Sequence, residues 1–272
     1  MECRASALIA SHFAWPVLTA IATVPVCSAF INQMYSFSVG YGASVSASAI
    51  AIAVMHATSG AAFTCALRAH IACALFYGTR LAMFLYHRSV TWDEWKERAR
   101  NAPEARAQGI GKQLLVIALC GLLYSCMSSP MLWHAQNVNA INYAKYGNVI
   151  VFGLVAQFAG AVVEAVADHQ KYTFKATTLG KTRWCDTGLY AKCRHPNYLG
   201  EIVFWIGTYV AGAPAMLTRP VTFVPASVGL FFIVMLMFGA AKRGDKKQAT
   251  KYADNAEYKA WAESSCSLFP GN

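Results

Sequence analysis

The chain has 272 residues, a net charge of +10, 56% apolar residues and only 13% charged ones, against about 25% charged in a soluble globular protein. The charges are also unevenly placed: none occurs between Arg4 and Arg68, nor across 113–144, 146–163, 202–218 or 220–241. This excludes a soluble enzyme, a nucleic-acid-binding domain and a disordered chain, and apolar runs without two-residue alternation argue against a β-barrel.

Seven membrane helices are predicted, at 13–31, 42–58, 66–86, 113–132, 147–167, 199–214 and 220–241. The fold class is therefore an all-α polytopic bundle, a single membrane domain over 1–272. The N-terminus, Met1 to His12, is poor in Arg, which argues against a mitochondrial presequence; the apolar run from Phe13 reads as an uncleaved signal anchor. No C-terminal prenylation motif is present. The second helix is rich in Ala and Ser from Gly42 to Ala62, a composition suited to close helix packing. Between the third and fourth helices, 86–113 carries Trp92, Trp95 and alternating charges through Arg106. It reads equally as an amphipathic surface helix or a solvated connector.

Of 23 Lys and Arg, six fall in 86–113, six in 168–198 and six in 241–260. With seven alternating helices all three clusters lie on one face, and the opposite face keeps Arg4, Arg68, Lys145 and Arg219. The positive-inside rule then puts the N-terminus outside and the C-terminus on the cytosolic side. The nine cysteines are scattered without a CxxC pair, so neither a disulfide framework nor a metal site is expected.

Three ionisable residues fall inside or at the edge of membrane helices: Arg80, Glu164 and Glu201. Tyr77 and Arg80, three apart, share a helix face, where Arg80 either meets a ligand or snorkels to water. Glu164 and Asp168, four apart, repel each other unless Lys171, Lys175, Arg80 or a ligand compensates; the alternative is a charge ladder at a helix exit. In Asp186 to Trp205, DTGLYAKCRHPNYLGEIVFW, Lys192, Arg194 and His195 precede Pro196, a helix-starting residue. A helix N-terminus so flanked suits an anion. Asn197 and Glu201, four apart, offer an amide and a carboxylate to a ribose or adenine. These residues point to a phosphorylated or carboxylated ligand at the cytosolic mouth of the bundle.

The segment GLYAKCRHPNYLGEIVFW closely resembles the signature of the steroid 5-alpha-reductase C-terminal family, including its DUF1295 branch. EAVADHQKYTFK at 164–175, FYGTRLAMFLYHR at 76–88, YSFSVGYGASVS at 35–46 and YADNAEYKAWAESSCSLFP at 252–270 extend the likeness. The resemblance implies NADPH-dependent reduction of a C=C bond in a lipid or sterol-like enone. It implies that Arg80, Lys175 and Arg194 hold phosphates, and that Glu164, Asp168, Asn197 and Glu201 fix the sugars and nicotinamide amide. His195, Tyr198 and Tyr252 would line the pocket, and Tyr77 would be the catalytic donor to the substrate oxygen.

Departures from the pattern open alternatives. Steroid reductases use a Glu on an early helix, whereas this chain has no acid between Glu2 and Asp93; His56 is the titratable residue of the second helix. Lys175 stands at an Arg position, and 239–245 reads GAAKRGD, with Asp245 in the acidic place. One alternative is a non-catalytic subunit of a larger membrane complex, without a cofactor. Another is a methyltransferase using S-adenosylmethionine, since isoprenylcysteine and phospholipid methyltransferases share an Arg-His-Pro segment. Expected partners are membrane lipids, a hydrophobic small-molecule substrate and, for the subunit reading, neighbouring subunits. The expected location is the endoplasmic reticulum or another organelle membrane, the mitochondrial inner membrane included.

Overall fold

The computed structural model describes residues 2–100 and 109–269. It is helical throughout, and among the described residues the only extended pairing is an isolated parallel bridge between Cys193 and Cys266. The long helices are α1 (Glu2–Val26), α2 (Val39–Thr58), α3 (Cys65–Thr91), a short α4 (Asp93–Arg100) and α5 (Ile110–Gln136). They are followed by α6 (Tyr143–Ala176), a one-turn α7 (Thr178–Thr182), α8 (Pro196–Met216), α9 (Phe223–Lys251) and α10 (Ala256–Ser264).

Among the described residues, six helices are long and apolar enough to cross a membrane, and a shorter apolar stretch runs over Ala14–Phe30. This is an integral membrane bundle of six to seven spans. Several helices outrun their apolar segments: α3 continues to Thr91, α6 to Ala176 and α9 to Lys251. At 1.5 Å per residue, the 34 residues of α6 span ~51 Å, well beyond a hydrocarbon core of about 30 Å. The polar ends of α3 and α6 contain no Pro or Gly to break them, and α9 runs on through Gly244. The surface connector contains α4, whose Trp95 ring lies 4.0 Å from the Arg88 guanidinium; 101–108, with Arg106, lies outside the described residues.

The chain divides into two compact units, Met1–Leu154 with Thr208–Leu230, and Val155–Gly207 with Phe231–Asn272. In the first, α2 lies backbone-to-backbone on α3. A Cβ added at Gly42 would fall 2.6 Å from the Ala82 nitrogen, and one at Gly78 would fall 2.6 Å from the Gly42 oxygen. The small-residue composition of α2 thus serves helix packing. Ser44 donates to the Ala22 carbonyl at 2.7 Å, and Ser46 and Thr79 share a hydrogen bond of 3.0 Å. His56 is buried, with its ring nitrogens on the carbonyls of Ala135 and Ala62 at 3.0 and 3.3 Å, which makes it a packing residue.

The second unit is built on an equally close crossing. A Cβ at Gly160 of α6 would meet the Gly200 oxygen at 2.6 Å, and one at Gly200 of α8 would meet the Glu164 nitrogen at 2.6 Å. Outward from this unit, α9 presents Phe231, Phe232, Met235 and Leu236 as exposed apolar side chains, a surface suited to lipid.

Candidate functional site

The Gly160–Gly200 crossing decides where the acidic residues go. Glu164 lies one turn beyond Gly160, Asp168 one turn further, and Glu201 follows Gly200. All three are buried, with 3%, 7% and 8% exposure. Asn197, at the start of α8, donates through its side-chain nitrogen to Asp168 at a long 3.5 Å. Its side-chain oxygen is buried and accepts no hydrogen bond within the described protein. Gly188 admits the neighbouring loop: its φ of +59° favours glycine, and any Cβ there would strike the Gln170 amide at 2.6 Å. The Gln170 side-chain oxygen in turn accepts from the Leu189 nitrogen at 2.9 Å. Tyr190 is thereby turned inward at 1% exposure; its hydroxyl has no hydrogen-bond partner among the described residues, and the Lys171 ammonium lies 5.5 Å from its ring centre. Burial raises the Tyr190 phenol above its ordinary range, with Asp168 adding to the effect, so it remains a neutral donor.

A second cluster ties the N-terminus of α8 to the C-terminal segments. Arg194 makes a two-pronged contact with Asp245, its Nε donating to Oδ1 at 3.0 Å and Nη2 to Oδ2 at 3.3 Å. Its remaining terminal nitrogen donates to the Ala262 carbonyl at 2.7 Å and to the Ser265 carbonyl. His195 Nε2 lies 2.9 Å from Asp245 Oδ1, and Ser267 donates to Asp245 Oδ2 at 2.6 Å. Gly244 makes room for the His195 ring, since a Cβ would sit 2.7 Å from His195 Cε1. The ring stacks on Tyr198 at 5.3 Å with planes 8° apart. Burial lowers the His195 pKa and outweighs the raising effect of Asp245, so the ring is neutral near pH 7.

Each residue expected from the sequence can now be placed. Glu164, Asp168, Asn197 and Glu201 belong to the α6–α8 crossing. Arg194 and His195 belong to the Asp245 cluster. Lys175, in the last turn of α6, donates through its ammonium to the carbonyls of Gly180 and Arg183 at the end of α7, at 2.8 and 2.7 Å. Tyr252 packs edge-on against Trp184 at 5.3 Å and tilted on Tyr258 at 5.3 Å, within an aromatic cluster completed by Trp261. Tyr77 is wholly buried in the first unit, with the half-buried Arg80 guanidinium 5.7 Å from its ring centre. It is therefore not a lipid-facing interfacial aromatic.

Sequence reasoning missed the anchoring role of Asp245 and the contribution of Ser267. One signal was available: Asp245 is the sole acid among five cations in 242–251. It also missed the inward Tyr190 hydroxyl, which no spacing reveals.

The family described as protein of unknown function (DUF1295) matches residues 29–265. No curated protein and no solved structure matches the chain.

Proposed function

This chain belongs to the DUF1295 family, and we propose that within it the protein is a membrane reductase that uses NADPH to saturate a C=C bond in a lipid or sterol-like enone. The observation that carries this reading is the α6–α8 crossing, where three buried carboxylates sit beside Asn197 and its unmet side-chain oxygen. Carboxylates and an amide oxygen are acceptors, and the buried Asn197 oxygen, which no donor among the described residues meets, is costly unless a ligand supplies one. A ligand rich in hydroxyl and amide N–H donors, such as a ribose and a carboxamide, fits that set.

In this reading Glu164, Asp168 and Glu201 accept from sugar hydroxyls and Asn197 from the carboxamide. His195 and Tyr198, stacked on each other, and Tyr252 wall the site; Arg80, Lys175 and Arg194 neutralise the phosphates. The bound cofactor supplies the hydride. Tyr77 donates a hydrogen bond to the substrate oxygen as negative charge develops there, and its burial excludes water. Loss of such a donor slows the chemical step by roughly 10²–10³-fold. The proposed setting is the endoplasmic reticulum or another organelle membrane.

The test is NADPH titration of the detergent-purified protein by nucleotide fluorescence. Asn197→Ala and Glu201→Gln are expected to weaken binding without lowering the melting temperature. Tyr77→Phe is expected to retain binding and lose turnover of an enone lipid. Absence of NADPH binding to the wild-type protein overturns the proposal.

One observation favours a second reading, a non-catalytic subunit of a membrane assembly. The Arg194 and Lys175 side chains, expected at phosphates, donate to Asp245 and to backbone carbonyls instead. Copurification with a fixed set of membrane proteins, without NADPH affinity, supports that reading.

A further inference from the structure

We propose that Cys193 and Cys266 form an oxidisable dithiol, a disulfide site that locks the C-terminal tail to the segment entering α8. The two residues face each other in the parallel bridge. The Arg194 N–H donates to the Cys266 carbonyl at 2.8 Å, the Cys266 N–H to the Lys192 carbonyl at 3.0 Å, and the His195 N–H to the Ser267 carbonyl at 3.1 Å. Directly opposed residues in such a ladder point to the same side, on strands about 4.8 Å apart. That spacing falls within the range of about 4.4–6.8 Å that a disulfide requires between Cα atoms.

The side chains agree with the backbone. Cys193 Sγ donates to the carbonyls of Ser267 and Leu268 at 3.5 and 3.7 Å, and Cys266 Sγ to the Lys192 carbonyl at 3.2 Å. Side-chain rotation therefore suffices to join them, with the backbone held by the bridge.

The two sulfurs differ in access, which orders the chemistry. Cys193 is 8% exposed, whereas Cys266 is only partly buried. Burial pushes the Cys193 thiol up to about 11, leaving little thiolate near neutral pH. With hydrogen peroxide as the oxidant, Cys266 attacks one peroxide oxygen, becoming a sulfenic acid and releasing water. Cys193 then attacks that sulfur, forming the S–S bond and releasing a second water. Two thiols and one peroxide give one disulfide and two waters, the sulfurs losing two electrons and the peroxide gaining them.

The bond would close a loop containing α8, α9 and α10. It would fix the tail residues that hold the α8 entry, the Ser265 carbonyl on Arg194 and the Ser267 hydroxyl on Asp245. Oxidation thus stiffens the anchor of α8, independently of what the buried carboxylates bind.

The experiment uses the full-length protein in detergent, reduced and then treated with hydrogen peroxide, followed by alkylation, proteolysis and mass spectrometry. The expected product is a Cys193–Cys266 crosslinked peptide two hydrogens lighter than its parts, lost on reduction. The melting temperature is expected to rise on the order of 5 °C on oxidation. Cys193→Ser and Cys266→Ser should abolish that rise, while Cys185→Ser should retain it. Recovery of Cys266 only as sulfinic acid, alkylation of both thiols after oxidation, or a crosslink from Cys193 to another cysteine overturns the proposal. Peptide mapping of the wild-type protein decides alone if a serine variant fails to fold.

Discussion

In the first unit the buried polar side chains are hydroxyls and imidazoles: Ser36, Ser44, Ser48, Ser125, Ser128, Ser129, Thr208, Thr222, His56, His70 and His134. In the second they are Gln157, Glu164, Asp168, His195, Glu201 and Ser265. Every buried acid among the described residues is therefore in the second unit. Hydroxyls bond to nearby carbonyls without introducing net charge, as Ser129 does to Cys126 at 2.8 Å. His70 and His134 meet through their Nδ1 atoms at 3.1 Å, an arrangement needing one donor and one acceptor. Such groups cost little in a low-dielectric bundle. Carboxylates cost more unless partners are supplied, so their concentration in one unit marks where a ligand or an anchoring contact is needed. The buried hydroxyls and imidazoles of the first unit serve its packing, and the second unit concentrates the buried acids.

The largest expected effect tests the charged unit. Asp245→Asn removes the carboxylate shared by Arg194, His195 and Ser267, and is expected to destabilise by about 2–3 kcal/mol. Thermal unfolding in detergent measures it, and an unchanged midpoint would show that this cluster does not anchor the tail.

The packing of the first unit is probed next by Gly42→Ala, which puts a methyl carbon 2.6 Å from the Ala82 nitrogen. Overpacking of this kind costs about 1–3 kcal/mol. Gly111→Ala on α5, where a Cβ meets nothing within 4 Å, is the control and should show no such loss. Equal melting of the two variants would refute the close crossing.

A smaller effect comes from pH. The unfolded chain protonates His195 near pH 6.5, while in the folded protein burial holds that pKa lower. The unfolded state then binds more protons in this window, so stability is present above pH 6.5 and is lost as pH falls from 7 toward 5. His195→Gln should flatten this part of the pH–stability profile; a profile identical to wild type would contradict a neutral, buried His195.

The smallest expected change is for Tyr190→Phe. Its hydroxyl has no hydrogen-bond partner among the described residues, so its removal should leave the ligand-free melting point unchanged or slightly raised. A clear loss of stability would mean that the hydroxyl is satisfied within the protein.

Hydropathy located the apolar core of each span, yet it missed the ends of α3, α6 and α9. Transfer free energy reports where the bilayer stops, whereas a helix ends where its hydrogen bonding is broken. At Trp92 the backbone turns extended, with φ −90° and ψ 124°, six residues beyond the predicted limit of 86. The site was legible where spacing within one helix decides it: Glu164 with Asp168, and Asn197 with Glu201. It was not legible where partners come from distant segments, as for Lys175 with Gly180 and Arg183, or Tyr252 with Trp184.

By itself the sequence determined that this is an all-helical membrane protein with α8 starting at Pro196, because a bilayer demands apolar length and proline suits a first helical turn. Tertiary structure decided which charges meet. The Gly160–Gly200 crossing buries the acids, and the bridge at Cys193 and Cys266 carries Ser265 and Ser267 to Arg194 and Asp245. These contacts join residues far apart in the chain, and their energies depend on burial and geometry that residue order does not encode locally.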